Sequence, residues 1–159
     1  MTSPVGELRL VAGPRGLRAI LWNAEDVARI ASVNDGDLIE GRSDVLEQAV
    51  SQLDEYFAGT RRDFDLPLDP IGTPFQQSAW MVLRTIPYGR TISYGQQALQ
   101  LGDPRKARAV GAANGQNPLS IVVPCHRVIG SNGHLTGFGG GLDAKSWLLD
   151  HEHQLRLID

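Results

Sequence analysis

The chain has 159 residues, 42% of them hydrophobic and 21% charged, a globular balance that excludes a disordered, fibrous or collagen-like protein. Its single cysteine, Cys125, excludes an intrachain disulfide and with it a disulfide-stapled secreted scaffold. A formal net charge of -3 argues, at face value, against a nucleic-acid partner.

The first residues, Met1-Thr2-Ser3-Pro4, carry no basic and apolar leader. Apolar runs such as Ile121-Val122-Val123 are far too short to span a bilayer. The sequence reads as cytoplasmic, with no membrane attachment. Glu7 to Ala12 and Leu17 to Trp22 alternate polar and apolar residues around Gly13-Pro14-Arg15-Gly16, which predicts a β-hairpin with one face buried. Residues 24–43 are polar and lack a period, so a partly disordered loop is expected there. Val45, Ala49, Leu53 and Phe57 recur every fourth residue, predicting an amphipathic helix capped near Ser43 and ended by Gly59. Asp63 to Leu68 alternates again and predicts an edge strand, because Pro67 cannot donate to a ladder.

Asp69-Pro70-Ile71-Gly72-Thr73-Pro74 reads as a linker, dividing residues 1–70 from residues 71–159. Composition changes at that point: the first part carries a net -6 and the second a net +3. Such a split suggests an anionic partner for the second part, although an ordinary solvated face explains charge alone equally well. A helix is predicted from Thr73 or Pro74 to Ile86, with Phe75, Ala79, Val82, Leu83 and Ile86 as its apolar stripe. Ser93 caps a second, Tyr94 to Leu101, with Ala98 and Leu99 inward. Arg105 to Asn114 forms a third, rich in alanine and glycine. Two short helices joined by Gly102-Asp103-Pro104 follow the helix-turn-helix pattern, the second being the reader.

Ile121-Val122-Val123 reads as a strand running into Pro124-Cys125-His126-Arg127-Val128. A lone cysteine is most often a small buried hydrophobe. Here Pro124 fixes the backbone, and His126 and Arg127 place positive character beside the sulfur, which favours thiolate. The glycines from Gly130 to Gly141 let a loop lie close over a flat ligand. In a strand, adjacent side chains face opposite ways, so His126 reaches Cys125 only through a turn or a water. Asp143 caps a last helix, Ala144 to about His153, in which Glu152 by itself reads as a surface residue. No metal is expected, because the histidines lack a second cysteine and ligand spacing. No cofactor is expected either: Gly137-Phe138-Gly139-Gly140-Gly141 lacks the strand-to-helix setting of a nucleotide loop.

Pro124-Cys125-His126-Arg127-Val128 resembles the active-site signature of the O6-alkylguanine-DNA alkyltransferases, the methylated-DNA–protein-cysteine methyltransferases. Phe75-Gln76-Gln77-x-x-Trp80, Ile86-Pro87-Tyr88-Gly89, Thr91-x-Ser93-Tyr94, Ala107-Arg108-Ala109-Val110-Gly111, Asn117-Pro118 and Gly137-x-Gly139-Gly140-Gly141 follow in that family's order, spanning residues 72 to 153. Residues 1–70 resemble its variable N-terminal domain. The resemblance implies an α/β fold of the α+β kind. A small ribonuclease H-like sheet-and-helix support (1–70) precedes a mostly helical alkyl-acceptor domain (71–159) carrying the helix-turn-helix.

The resemblance also implies a reaction. The partner is double-stranded DNA bound through its minor groove, by a monomer, with cooperativity along DNA left open. An O6-alkylated guanine, or an O4-alkylated thymine, flips into a pocket, and Cys125 takes the alkyl group irreversibly. His126 is the base acting through a water, Glu152 orients it, and Tyr94 helps rotate the phosphate and donates a proton to the departing guanine. Arg108 fills the stack. Asn117 is the hinge between recognition helix and active-site strand. Ala107, Ala109, Gly111, Thr91, Ser93 and Arg127 join Arg108 on DNA. Pro124, Val123, Val128, Phe138 and Gly139 shape the pocket, with the Val123 and Cys125 carbonyls and the amide of residue 139 toward the base edge. Phe138 lacks the hydroxyl of members with tyrosine there, and Gly139 replaces a small hydroxyl residue, widening the pocket. The structural zinc of some members is not expected. The alternatives are a non-catalytic lesion-binding module and a cysteine hydrolase, the latter without a recognisable oxyanion element.

Overall fold

The computed structural model describes residues 1–22, 40–133 and 137–158, with side chains as far as residue 153. Most of the polar stretch 24–43 therefore lies outside the described residues. β1 (Thr2–Ser3) pairs antiparallel with β2 (Gly6–Glu7). β3 (Arg9–Gly13) and β4 (Gly16–Leu21) form the predicted hairpin, Arg9 opposite Leu21 and Gly13 opposite Gly16. Its burial differs from the alternation. Leu17 and Ile20 join the main core, while Ala19 and Leu21 are buried on the other face against Val11. The hairpin thus has both faces covered, a setting in which small and apolar residues replace polar ones.

α1 (Asp44–Ala58) starts where Ser43 Oγ accepts from the Leu46 amide at 3.2 Å. It ends at Gly59, whose φ of 85° is the left-handed cap that glycine adopts without strain. The edge strand expected over Asp63–Leu68 reduces to one parallel bridge, Leu17 to Leu68. The Leu17 amide donates to the Pro67 carbonyl at 2.8 Å, and the Asp69 amide donates to the Leu17 carbonyl at 2.9 Å. Gly16 allows this approach, since a Cβ there would lie 2.5 Å from the Pro67 oxygen.

α2 (Pro74–Leu83) carries a capping box between Thr73 and Gln76. It stops at Leu83, short of the predicted Ile86, because Thr85 and Ile86 turn back onto Val82 and Leu83. Trp80, with Ala79 and Leu83, is buried on this helix, while Phe75 and Val82 are half-buried. The Trp80 indole donates to the Ala113 carbonyl at 2.8 Å and so ties α2 to the helix α4 (Ala107–Gly115). β5 (Ile92–Ser93) pairs in parallel with β6 (Val128–Ile129). α3 (Tyr94–Gln100) opens with a second capping box, Ser93 with Gln96. Its inward residues are Gln97 and Ala98; Leu99, expected inside, is 62% exposed. One step of 100° carries residue 99 past the face that Ala98 buries.

The helix expected over Arg105–Asn114 is a 3-10 turn, Pro104–Lys106, followed by α4. A buried amide pair locks α3 to α4: Gln97 Nε2 donates to Asn114 Oδ1 at 3.0 Å, and Asn114 Nδ2 donates back at 2.8 Å. α5 (Leu142–Ile158) begins before Asp143, which sits inside the first turn rather than capping it. One hydrophobic core runs through the molecule, from Leu17, Leu53 and Tyr56 to Leu83, Val128 and Leu148. The fold is mixed α/β, a small sheet-bearing N-terminal domain packed on a helical C-terminal one. Among the described residues, no helix is long and apolar enough to cross a membrane.

Candidate active site

The apolar run Ile121-Val122-Val123 is not a strand. It is a buried turn in which Ile121 takes a φ of 77°, a left-handed backbone that a β-branched residue adopts only under constraint. The constraint is Asn117. Its Nδ2 donates to the Val123 carbonyl at 2.8 Å, and its Oδ1 accepts from the Leu119 amide at 3.0 Å. The Val123 amide closes on the Leu119 carbonyl at 2.8 Å. Pro124, at φ -83° and ψ 68°, then makes an inverse γ-turn, closed by the Cys125 amide on the Val123 carbonyl at 2.8 Å. Cys125 to Arg127 continue as one 3-10 turn.

A turn of this kind does not alternate sides as a strand does. Cys125 is 7% exposed and His126 fully buried. His126 Nε2 lies 2.8 Å from Glu152 Oε2. The carboxylate can only accept, so Nε2 carries the proton. Nδ1 is buried and has no hydrogen-bond partner among the described residues. Burial pushes the imidazole below its ordinary pKa, the Arg127 and Lys145 charges add to the effect, and Glu152 opposes them. A neutral imidazole with a lone pair on Nδ1 results. Burial works against the charge on Glu152, but His126 and Arg127 hold its carboxyl well below the usual carboxylate range. Glu152 is 1% exposed, in contrast to its reading as a surface helix residue. It accepts from His126, from Arg127 Nε at 2.8 Å and Nη2 at 3.0 Å, and from the Tyr56 hydroxyl at 2.6 Å.

Arg127 is the clearest correction. Expected on DNA, it is 6% exposed, clamps both oxygens of Glu152 and donates to the Ile86 carbonyl at 2.7 Å. A buried carboxylate requires such a partner. The Val123 carbonyl is also corrected: its two lone pairs are taken by Asn117 and Cys125, leaving none for a base edge. The Val128 carbonyl accepts from Lys145 at 2.7 Å.

A cavity of about 580 Å³ is lined by Tyr94, Ala107, Arg108, Gly111, Gly115, Gly137, Phe138 and Gly139; Cys125 and His126 are not among its lining residues. Phe138 and Gly139, expected to shape a substrate pocket, both line this cavity. Pro124, Val123 and Val128 do not line it; Pro124 instead faces a cavity of about 190 Å³ bordered by Arg62, Arg84 and Arg127. Phe138 packs edge-on against Trp22, at 5.4 Å between ring centres. Arg108, Ala109 and Thr91 are exposed, and Ala107, Gly111 and Ser93 are half-buried. The Ser93 amide and hydroxyl oxygen are both engaged in the capping box of α3.

Two residues escaped the sequence reading. Lys145 is fully buried, its charge interacts with Cys125, and its Nζ stands 6.0 Å from the centre of the Tyr94 ring. Burial lowers its pKa, and Cys125 opposes that. A signal existed, since Lys145, Leu148 and Glu152 fall at i, i+3 and i+7 on one helix face. Tyr56 had none, because 96 residues separate it from Glu152.

Fold and site together define a small two-part protein with one buried cysteine beside a histidine oriented by a carboxylate. Known proteins share the fold. The sequence profile described as 6-O-methylguanine DNA methyltransferase, ribonuclease-like domain, matches residues 1–70, and that described as 6-O-methylguanine DNA methyltransferase, DNA binding domain, matches residues 74–154. The methylated-DNA–protein-cysteine methyltransferase of Shigella flexneri is 46% identical, with 99% of this chain and 95% of that protein covered. That of Mycobacterium leprae is 49% identical, over 98% and 92%. The crystal structure of Mycobacterium tuberculosis OGT in complex with DNA superposes with a TM-score of 0.84 at 44% identity, covering 98% of this chain and 91% of that one. The chain belongs to the 6-O-methylguanine DNA methyltransferase family.

Proposed function

We propose that this protein repairs DNA by moving the alkyl group of O6-alkylguanine, and of O4-alkylthymine, in duplex DNA onto its own Cys125. The observation that carries the reading is the buried chain Glu152–His126 at 2.8 Å, with the unpartnered Nδ1 lone pair of the residue next to Cys125. His126 Nδ1 takes the thiol proton through a water. The Cys125 sulfur attacks the alkyl carbon, an S–C bond forms and the C–O6 bond breaks. The electron pair leaves with guanine, and Tyr94 at the cavity wall donates the proton that neutralises it. Lys145 adds positive charge near the sulfur, which favours thiolate. A thioether has no leaving group that water displaces, so each molecule acts once.

The cavity lies between α3 and α4, which act as the helix-turn-helix, and the Gly137–Gly139 segment. A base enters it only by flipping out of the duplex. Small exposed residues on α4 suit a close minor-groove approach, Arg108 fills the gap in the stack, and the Thr91 and Ser93 hydroxyls donate to phosphate. Residues 1–70 serve as the support and 71–159 as the reactive domain. The protein works as a monomer, in the cytoplasm, where its lone thiol stays reduced.

The test is mass spectrometry of the intact protein after incubation with O6-methylguanine duplex DNA. One increment of about 14 Da, methyl for hydrogen, is expected on Cys125 and on no other residue. Unaltered mass on folded protein, with Cys125→Ala protecting DNA as well as the unmutated chain, would instead mark a lesion-binding module.

A further inference from the structure

We infer that Tyr56, on α1 of the N-terminal domain, is a positioning residue of the reactive centre, its phenol setting how strongly Glu152 holds the proton side of His126. This rests on the reading of Cys125, His126 and Glu152 as a relay.

The Tyr56 hydroxyl donates to Glu152 Oε2 at 2.6 Å, and His126 Nε2 meets that same oxygen at 2.8 Å. Tyr56 is fully buried. Its ring is held edge-on by Phe57 at 5.4 Å, by Tyr88 at 6.3 Å and by His151 at 5.3 Å. Its carbonyl, in the last turn of α1, accepts from His151 Nε2 at 2.7 Å, so α5 caps the end of α1. A tyrosine held at three points costs little further ordering to aim one hydroxyl.

The charged and titratable groups around the Glu152–His126 pair are Arg127 and Cys125 on the same turn, Lys145 and His151 on α5, Tyr56 on α1, and Tyr88, whose ring lies between Arg62 and Arg127. Among these, Tyr56 and Arg127 are the protein groups besides His126 that donate to the Glu152 carboxylate. Arg127 keeps Glu152 ionised. The phenol keeps it from being too strong a base: each donor on Oε2 draws charge from the oxygen that faces the imidazole. With less charge on that oxygen, imidazolium is favoured less and the Nδ1 lone pair stays available at lower pH. The N-terminal domain thereby supplies one of the groups that tune the nucleophile.

The experiment is the single-turnover rate of methyl transfer from O6-methylguanine duplex DNA, followed from pH 5 to 9. Tyr56→Phe keeps the ring and removes the donor. Its acid limb is expected to move up by about half a unit to one unit, making transfer on that limb three- to ten-fold slower at roughly unchanged plateau. Tyr56→Phe in a Glu152→Gln background should add no further movement to that of Glu152→Gln alone. A merely structural tyrosine would lower the unfolding midpoint and leave the limb in place. A Tyr56→Phe profile that superimposes on the parent, while Glu152→Gln shifts or slows transfer, overturns the inference and spares the relay. Superposition of Glu152→Gln as well overturns the relay itself. Site-specific 3-fluorotyrosine at position 56, a stronger donor of nearly the same shape, covers the case in which the phenylalanine variant does not fold: its limb must move down, and an unmoved limb overturns the inference.

Discussion

Two arginines that stand nineteen positions apart in a basic stretch have opposite fates, and the difference is burial. Arg127 spends three of its five N–H donors inside the protein, on both oxygens of Glu152 and on the Ile86 carbonyl. Arg108 is exposed at the rim of the cavity. Arg127→Lys keeps the charge but cannot reproduce a planar fork that reaches three acceptors. It should lower the free energy of unfolding by about 2–4 kcal/mol, approaching the cost of breaking a buried pair. Arg108→Ala should change stability by less than about 0.5 kcal/mol while weakening duplex binding and flattening its salt dependence. Urea unfolding and fluorescence anisotropy on the same two variants separate the roles. An Arg127→Lys protein as stable as the parent would mean that the Glu152 clamp is not held in solution.

At the scale of elements, what could be read from the sequence was what is decided locally. The starts of α1, α2 and α3 are set by Ser43, Thr73 and Ser93, each bonded to an amide within three residues. A cap is a short-range event, and the sequence shows it. The strand expected over Ile121–Val123 failed because its apolar residues are buried by a turn that Asn117 ties from outside the run. The strand over Asp63–Leu68 failed because alternation does not supply a partner, and among the described residues Leu17 alone bridges to it, at Leu68. Within the site, Cys125 and His126 stand together in one short motif, whereas Asn117 is singled out only by the family resemblance. The burial of Glu152 and Arg127, and the part of Tyr56, depend on α1 and α5 meeting at residues far apart in sequence. The amide pair Gln97–Asn114 is of the same long-range kind, and it fixes how α3 lies on α4 beneath the cavity. Gln97→Leu leaves the Asn114 amide buried and unsatisfied, at a cost of about 1–3 kcal/mol. Gln97→Leu with Asn114→Leu removes both polar groups, so the double variant should be more stable than the sum of the singles predicts. Unfolding free energies for the four proteins of the cycle provide the check, and strict additivity would show that the pair is not formed.

For the molecule as a whole, the net -3 hides two functions of charge. The excess of acid lies in residues 1–70, the excess of base in the part that carries α3 and α4, so overall charge says little about where DNA would bind. The same whole-molecule packing that buries Glu152 and His126 makes folding depend on pH. Burial holds His126 below its ordinary value of 6.5 in the folded protein, whereas the unfolded chain titrates at that value. Below about pH 6.5 the unfolded chain binds a proton that the folded one refuses, and stability must fall with pH. The slope from this one group is at most about 1.4 kcal/mol per pH unit. Glu152 has the same sign in a lower window: its carboxyl is depressed from 4.5, so its contribution is complete above that value and is lost as pH falls below it. Urea midpoints at pH 7.5, 6.5 and 5.5 should therefore decline across the His126 window in the parent, and decline less in His126→Gln. The measurement bears on chemistry as much as on stability. The imidazole that refuses a proton while folded is the one whose Nδ1 is available to take it from Cys125. A parent protein no less stable at pH 5.5 than at pH 7.5 would mean a charged imidazole in the folded state, and a histidine that could not serve as the base.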